Sequence, residues 1–151
     1  MKVSLMAQVF SFKVGSLMKR ISQWGLQYDN SLPAEAVQTA DFILFMDMLF
    51  DSLNGNAKQA PVSKPFKGGV STDSGHKKWW EESVKVIKSM RFWNSKKGIY
   101  VKVPSTKNLV KTIEGFLYLR TRLLTRVKYF LPRALNQEHR FVILKCYIML
   151  I

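Results

Sequence analysis

The sequence predicts an all-α fold of four to five helices with a long irregular loop at about 55–74. Apolar residues recur at intervals of three and four along most of the chain, the spacing that places side chains on one face of a helix. Residues 55–74 instead combine glycines, prolines and small polar residues, a composition typical of loops. A chain of 151 residues, 47% of them hydrophobic, is long enough to bury one core.

The helical spacing predicts four main helices at about 2–25, 33–54, 75–93 and 104–127, and a fifth near the C-terminus. We expect Ser74 or Asp73 to cap the third helix and Ser105 to cap the fourth, because their side-chain oxygens can accept hydrogen bonds from unpaired N–H groups. Between these two helices, apolar and other residues alternate along 98–103, which predicts a short extended segment.

The most apolar stretch, 39–55, also carries polar residues at one repeated spacing. Asp47, Asp51 and Asn54 fall at i, i+4 and i+7, so on a helix they share one face, and the apolar residues around the rest predict a buried helix. Buried carboxylates need partners, because an unpaired interior charge costs several kcal/mol. Two alternatives stay open: Asp47 and Asp51 pair with basic side chains, or they line a polar pocket for a ligand.

The positive charge is concentrated in the second part of the chain. The formal net charge is +14, and residues 1–60 hold five basic and five acidic side chains whereas 61–151 hold nineteen and five. This asymmetry indicates an anionic partner, nucleic acid or nucleotide before membrane, and the alternative is a solvated basic surface without a partner. The candidate DNA-contacting cations are Lys77, Lys78, Lys85, Lys88, Arg120, Arg122 and Arg126.

Several functional classes are not supported by the sequence. One cysteine, Cys146, excludes an internal disulfide, and with only two histidines no Cys/His metal cluster can be assembled. The glycine turn at 67–69 is not a Walker A motif. The apolar run FVILKCYIMLI is far shorter than the ~20 residues that a helix needs to span a bilayer. No spacing of nucleophiles, bases or paired carboxylates supports an enzyme.

Seven short motifs occur in a fixed order over residues 1–139. They are MKVSLMAQVFS at 1–11, LPAEA at 32–36, FDSLNG at 50–55, SMRF at 89–92, PSTK at 104–107, TIEG at 112–115 and LNQE at 135–138. In this order they resemble the P-element-type transposases, including the THAP-domain relatives. The similarity is to the GTP-binding insertion domain of that family, a helical domain that interrupts an RNase H-like catalytic domain.

The resemblance implies that the chain binds GTP as a cofactor, together with Mg²⁺ on the nucleotide, and that it binds the DNA of transposon ends. By the same resemblance, Phe50, Asp51 and Glu138 are the candidate residues for contacting the base, and Lys2 is the candidate for contacting phosphate. Carboxylates suit guanine because its N1–H and N2–H₂ groups are adjacent donors. Glu138 stands where the family has Asp, which keeps the charge and lengthens the side chain by one methylene.

The resemblance ends at residue 139, so 140–151 is expected to be a divergent tail. Phe141 stands where the family has the glutamate that completes its catalytic metal site, and a phenyl ring cannot bind Mg²⁺. We therefore expect a nuclear, non-enzymatic fragment that holds the insertion domain and partners the RNase H-like domain or a full-length transposase. The alternative is a basic helical nucleic-acid-binding module without a nucleotide pocket.

Overall fold

The described chain combines four α-helices with two small antiparallel sheets. The computed structural model describes residues 8–24 and 32–135. Its elements are α1 (Phe12–Trp24), α2 (Ala36–Leu53), β1 (Val70–Ser71), α3 (His76–Ser89), β2 (Phe92–Asn94), β3 (Ile99–Val101), α4 (Pro104–Leu123), β4 (Tyr129–Phe130) and a 3-10 helix (Pro132–Leu135). Strand β1 pairs with β4, and β2 pairs with β3. The all-α prediction is therefore wrong, and the predicted C-terminal helix lies outside the described residues.

Strands β2 and β3 form a hairpin, and β2 lies where the sequence predicted the end of the third helix. Helix α3 ends at Ser89 because Met90 takes an extended backbone conformation, with φ −62° and ψ 133°. In the turn, the Asn94 Oδ1 accepts hydrogen bonds from the backbone N–H groups of Lys96 and Lys97. Gly98 then adopts φ +62°, a left-handed conformation that glycine enters without steric cost. The predicted extended segment thus forms β3 and pairs with β2, most of which was predicted to be helical.

The β1–β4 sheet includes part of the segment that was predicted to be an irregular loop. Strand β1 lies within 55–74, so that prediction is wrong at its end, and Ala57 forms a further isolated bridge with Gly68. A Cβ at Gly55 would collide with the carbonyl oxygen of Gly68. Glycine at position 55 therefore allows two stretches of this segment to approach each other closely.

Neither predicted side-chain cap forms. The N-cap of α3 is Gly75, and Ser74 instead uses its hydroxyl on the backbone of Ser71, donating to the carbonyl and accepting from the N–H at 3.0 Å each. The N-cap of α4 is Val103, so the cap predicted at Ser105 is also wrong. Both serine positions lie within a residue or two of the true helix start, where a tight local turn determines which oxygen reaches which N–H.

The chain divides into two compact units, 1–51 and 52–151. In the first unit the predicted helix at 2–25 is interrupted: residues 8–9 are helical, Phe10 lies in a turn and Ser11 in a bend, and α1 begins at Phe12. Gly15 of α1 is buried against Leu44 of α2, where a Cβ would lie 2.8 Å from the Leu44 Cγ. The absence of a side chain at Gly15 therefore lets the two helices approach closely.

Helix α2 is only partly buried, whereas the sequence predicted a buried helix. Phe42 and Phe50 are each 40% exposed. Asp47 and Asp51 are half-buried and Asn54 is exposed. The side chains that do form its buried side are Ala40, Ile43, Leu49, Ser52 and Leu53. When apolar residues occur on every side of a helix, the sequence does not show which side is buried in the folded chain.

The core of the second unit lies between α3 and α4. Trp80 is fully buried, and its ring centroid lies 5.5 Å from that of Phe116. Ile87, later on α3, and Val110, earlier on α4, line one groove, so the two helices run antiparallel. The rest of the core comes from Val70, Ile113, Val127, Phe130 and Leu131. Both strands of the β1–β4 sheet thus contribute a buried side chain to this core.

Candidate nucleic-acid interface

The outward side of α3 carries four lysines. All four are exposed, whereas the buried positions of the same helix lie opposite them. The lysines are Lys77, Lys78, Lys85 and Lys88. The Lys77 Nζ lies 3.9 Å from the Glu81 Oε1 on the same helix. The Lys88 Nζ lies 2.8 Å from the Glu114 Oε1 on α4. Exposed ion pairs of this kind contribute only about 0–1 kcal/mol, so they weaken the positive surface without removing it.

Arg120, which the sequence grouped with the surface cations, turns toward the backbone of the β1 segment. Its Nη2 donates hydrogen bonds to the carbonyl oxygens of Ser71 at 3.3 Å and Thr72 at 2.8 Å. Its Nε is buried and has no hydrogen-bond partner among the described residues. Arg120 therefore stabilises the backbone at the end of β1 and just after it.

Arg122 and Arg126 remain at the surface. The guanidinium of Arg122 lies 5.4 Å from the ring centroid of Tyr118, one turn earlier on α4, and its Nε donates to the Tyr118 hydroxyl at 3.3 Å. Tyr118 is itself 59% exposed. Arg126 follows α4 and is exposed. The contact with Tyr118 orients Arg122 and leaves its charge in contact with solvent.

Sequence analysis missed two further cations on the same side of α4. Lys107 and Lys111 are exposed and precede Arg122 by about four and three helical turns, so the three share one stripe of the helix. The sequence signal for them is the 3.6-residue spacing of cations along the predicted fourth helix. We call the exposed cations of the two helices and the adjoining turn the basic face: Lys77, Lys78, Lys85, Lys88, Lys107, Lys111, Arg122 and Arg126.

An open groove of about 740 Å³ lies where the end of α3, the hairpin and the start of α4 meet. Apolar side chains, including those of Met90 and Phe92, form part of its lining. The cations that line it are Lys88, Lys102, Lys107 and Lys111, and the acidic residue that lines it is Glu114. Since Glu114 pairs with Lys88, the remaining lysines give the groove a net positive charge. The arrangement suits an anionic chain with apolar parts.

A buried histidine lies at the opposite end of α3. His76 is 2% exposed, and its ring packs at 5.4 Å from the rings of both Phe66 and Trp80. The Phe66 carbonyl can only accept, so the His76 Nε2–H donates to it at 3.0 Å. Burial lowers the pKa of His76, the Phe66 carbonyl partly opposes this by raising it, and the charge of Arg120 lowers it further. The neutral ring is thus a packing element.

Two of the four predicted nucleotide-binding residues lie in the described chain. Phe50 is 40% exposed, and Asp51 is half-buried next to it on the last turn of α2. Both take part in other interactions within the fold. Lys2 and Glu138 lie outside the described residues. The structure therefore describes an exposed aromatic residue and a half-buried carboxylate at successive positions of α2, and it does not describe the two other proposed contacts.

No protein-family model, curated protein or solved structure matches this chain. Within 8–24 and 32–135, no helix is both long and apolar enough to cross a bilayer. Across the same residues, no cluster of three or more His, Cys, Asp or Glu side chains could hold a metal ion. Function must therefore be inferred from the basic face, the groove and the motif resemblance.

Proposed function

We propose that this chain is a GTP-binding insertion domain of a P-element-like transposase, and that it binds DNA through the basic face. It acts in the nucleus as an accessory domain, without a cleavage site of its own. The observation that supports DNA binding most strongly is that two antiparallel helices expose cations which meet at one groove. Lys88 of α3 lines that groove together with Lys107 and Lys111 of α4, so the two sets of cations are continuous.

Composition strengthens this proposal. Residues 52–135 hold 18 basic side chains and four acidic ones, so few carboxylates are available to neutralise the basic face. Phosphate contacts of Lys and Arg carry no base information, and they fix a protein on the duplex without selecting a sequence. The expected activity is therefore DNA binding that does not depend on sequence and that weakens with salt.

A fluorescence polarisation titration of two unrelated DNA duplexes tests this proposal. If four to seven cations contact phosphates, log K should fall with log salt with a slope of roughly −4 to −6, since each neutralised phosphate contributes about −0.9. Both duplexes should bind with the same affinity. Absence of binding at ~50 mM salt would overturn the DNA proposal, because electrostatic binding is strongest at low ionic strength.

The GTP part of the proposal is supported by one feature of the motif FDSLNG. Phe50 is exposed although it belongs to the most apolar helix, and Asp51 follows it in the sequence. An exposed aromatic ring can stack on a base, and a carboxylate can accept from the adjacent N1–H and N2–H₂ donors of guanine. Adenine lacks that pair of donors, so this arrangement favours GTP over ATP.

Thermal unfolding with GTP and with ATP separates this proposal from the alternative of a basic module without a nucleotide pocket. A ligand that binds only the folded chain stabilises it by RT ln(1 + [L]/Kd), about 2.7 kcal/mol at a concentration of 100 Kd. We expect a larger shift of Tm with GTP than with ATP. Equal shifts would indicate simple attraction of the triphosphate to the basic surface and would favour the alternative.

A further inference from the structure

The β2–β3 hairpin exposes two aromatic rings side by side. Trp93 lies directly opposite Tyr100 in the strand register, so both side chains project from the same face. Their ring centroids are 5.1 Å apart, with the planes at 68°. Trp93 is 59% exposed and Tyr100 is 64% exposed. Each ring therefore keeps most of its surface open to solvent, although aromatic residues of this size are usually among the best contributors to a core.

Cations surround this pair of rings, and acidic side chains are absent from this part of the sequence. Arg91 precedes β2 and Lys102 follows β3, while Lys96 and Lys97 form the turn, and all four are exposed. No acidic residue occurs between positions 82 and 114. The charge around the rings is therefore complementary to a polyanion.

The combination of open rings and cations fits one kind of polyanion better than others. In a duplex the bases are already stacked on one another, so a protein ring cannot reach a base face without unstacking it. In a single strand the base faces are accessible, and proteins bind such strands with aromatic side chains that stack on bases and cations that contact phosphates. Stacking of this type tolerates any sequence because every base has a flat face.

We propose that Trp93 and Tyr100 form a stacking platform for the unpaired bases of single-stranded DNA, with the hairpin cations contacting its phosphates. This inference rests on the proposed DNA binding and narrows its substrate to strands with unpaired bases. The groove extends the binding path, since Lys102 at the end of the hairpin also lines it together with Lys107 and Lys111 of α4. A strand stacked on the hairpin can thus continue along the groove into the basic face.

The test compares two strands that differ only in their bases. Polarisation titrations use a 16-nucleotide oligothymidine and an abasic strand of the same length and charge, with wild-type chain and with the double variant Trp93→Leu, Tyr100→Leu. Each stacked base should contribute about 5- to 150-fold in affinity, so the double variant should bind oligothymidine at least fivefold more weakly. Its affinity for the abasic strand and for duplex DNA should stay within twofold of wild type. The matched double variant Trp93→Phe, Tyr100→Phe retains flat rings and should bind oligothymidine within a few-fold of wild type.

Three results would overturn the proposal that the two rings form a stacking platform for single-stranded DNA. The first is an unchanged affinity of the leucine variant for oligothymidine. The second is an equal loss on the oligothymidine, the abasic strand and the duplex, which would show that the rings support the fold and do not contact bases. The third is tighter binding of oligouridine RNA than of oligothymidine by the wild-type chain. If duplex binding with its salt dependence persists in these cases, the proposed function stands without the platform. If the wild-type chain binds neither strand nor duplex, both proposals are wrong.

Discussion

The indole Nε1–H of Trp80 donates a hydrogen bond of 2.9 Å to the hydroxyl of Ser52, and both side chains are fully buried. Ser52 belongs to FDSLNG, a central motif of the resemblance to the transposase family. Gly55, from the same motif, is required by the close approach of the Gly68 carbonyl. Part of the motif is therefore explained by packing, whereas Phe50 of the same motif is 40% exposed.

Removal of the Ser52 hydroxyl should destabilise the chain. Ser52→Ala leaves the indole N–H of Trp80 buried without its acceptor, which typically costs about 1–3 kcal/mol in the free energy of unfolding. Urea unfolding followed by tryptophan fluorescence measures this change. Ser89→Ala is the matched control, because Ser89 is exposed and its loss should change stability by less than about 0.5 kcal/mol. Equal effects of the two substitutions would contradict the buried hydrogen bond.

The stability of the fold should fall as the solution is acidified below neutrality. Because the folded-state pKa of His76 is lowered, the unfolded chain binds a proton more readily than the folded chain. The full stability is therefore present above the unfolded pKa of about 6.5, and it is lost as pH falls from there toward the folded-state pKa, by up to about 1.4 kcal/mol per pH unit. Unfolding titrations between about pH 7.5 and 5.5 measure this slope.

Two variants assign that pH dependence to one histidine. His76→Gln keeps a donor for the Phe66 carbonyl and removes the titrating group, so its stability should change little across the same pH range. Ser89→Ala keeps His76, so its slope should match wild type. A slope that persists in His76→Gln would show that another group titrates.

The proposed guanine contact predicts different effects for two aspartates of α2. Asp51→Ala should weaken GTP binding by roughly 10- to 150-fold, because hydrogen bonds to a charged group contribute about 1.5–3 kcal/mol. Asp41 is 54% exposed and pairs with Lys19 at 2.7 Å, so Asp41→Ala should leave the affinity unchanged. Isothermal titration calorimetry compares the two variants. Equal affinities would count against a contact between Asp51 and the base.

Sequence predicted the ends of α2 well, with 33–54 expected and Ala36–Leu53 observed. Pro33 and Gly55 mark the two ends locally, so no distant contact was needed. The hairpin was missed for the opposite reason. Phe92 and Trp93 continue the apolar spacing of α3, and their extended conformation depends on pairing with β3, which the local pattern does not show.

The candidate interface illustrates the same limit. Arg120 and Arg122 are two residues apart, about 200° around the helix, so helical spacing places them on different sides of α4. Arg120 falls on the side of the buried Ile113 and Phe116. Their roles differ because the fold brings the carbonyl oxygens of Ser71 and Thr72 to Arg120 and leaves Arg122 at the surface. The sequence could reveal the cluster and separate the two arginines by helical spacing, and only tertiary structure could show which backbone oxygens Arg120 contacts.

The salt dependence of DNA binding tests the basic face most directly, and two sets of arginine variants make that test specific. The double variant Arg122→Gln, Arg126→Gln removes two exposed cations, so the slope of log K against log salt should become less steep by up to about two units. Arg120→Gln removes the same charge from a position within the fold, so it should lower Tm and leave the slope unchanged. A slope that is unaffected by the double variant but reduced by Arg120→Gln would contradict the assignment of DNA binding to the basic face.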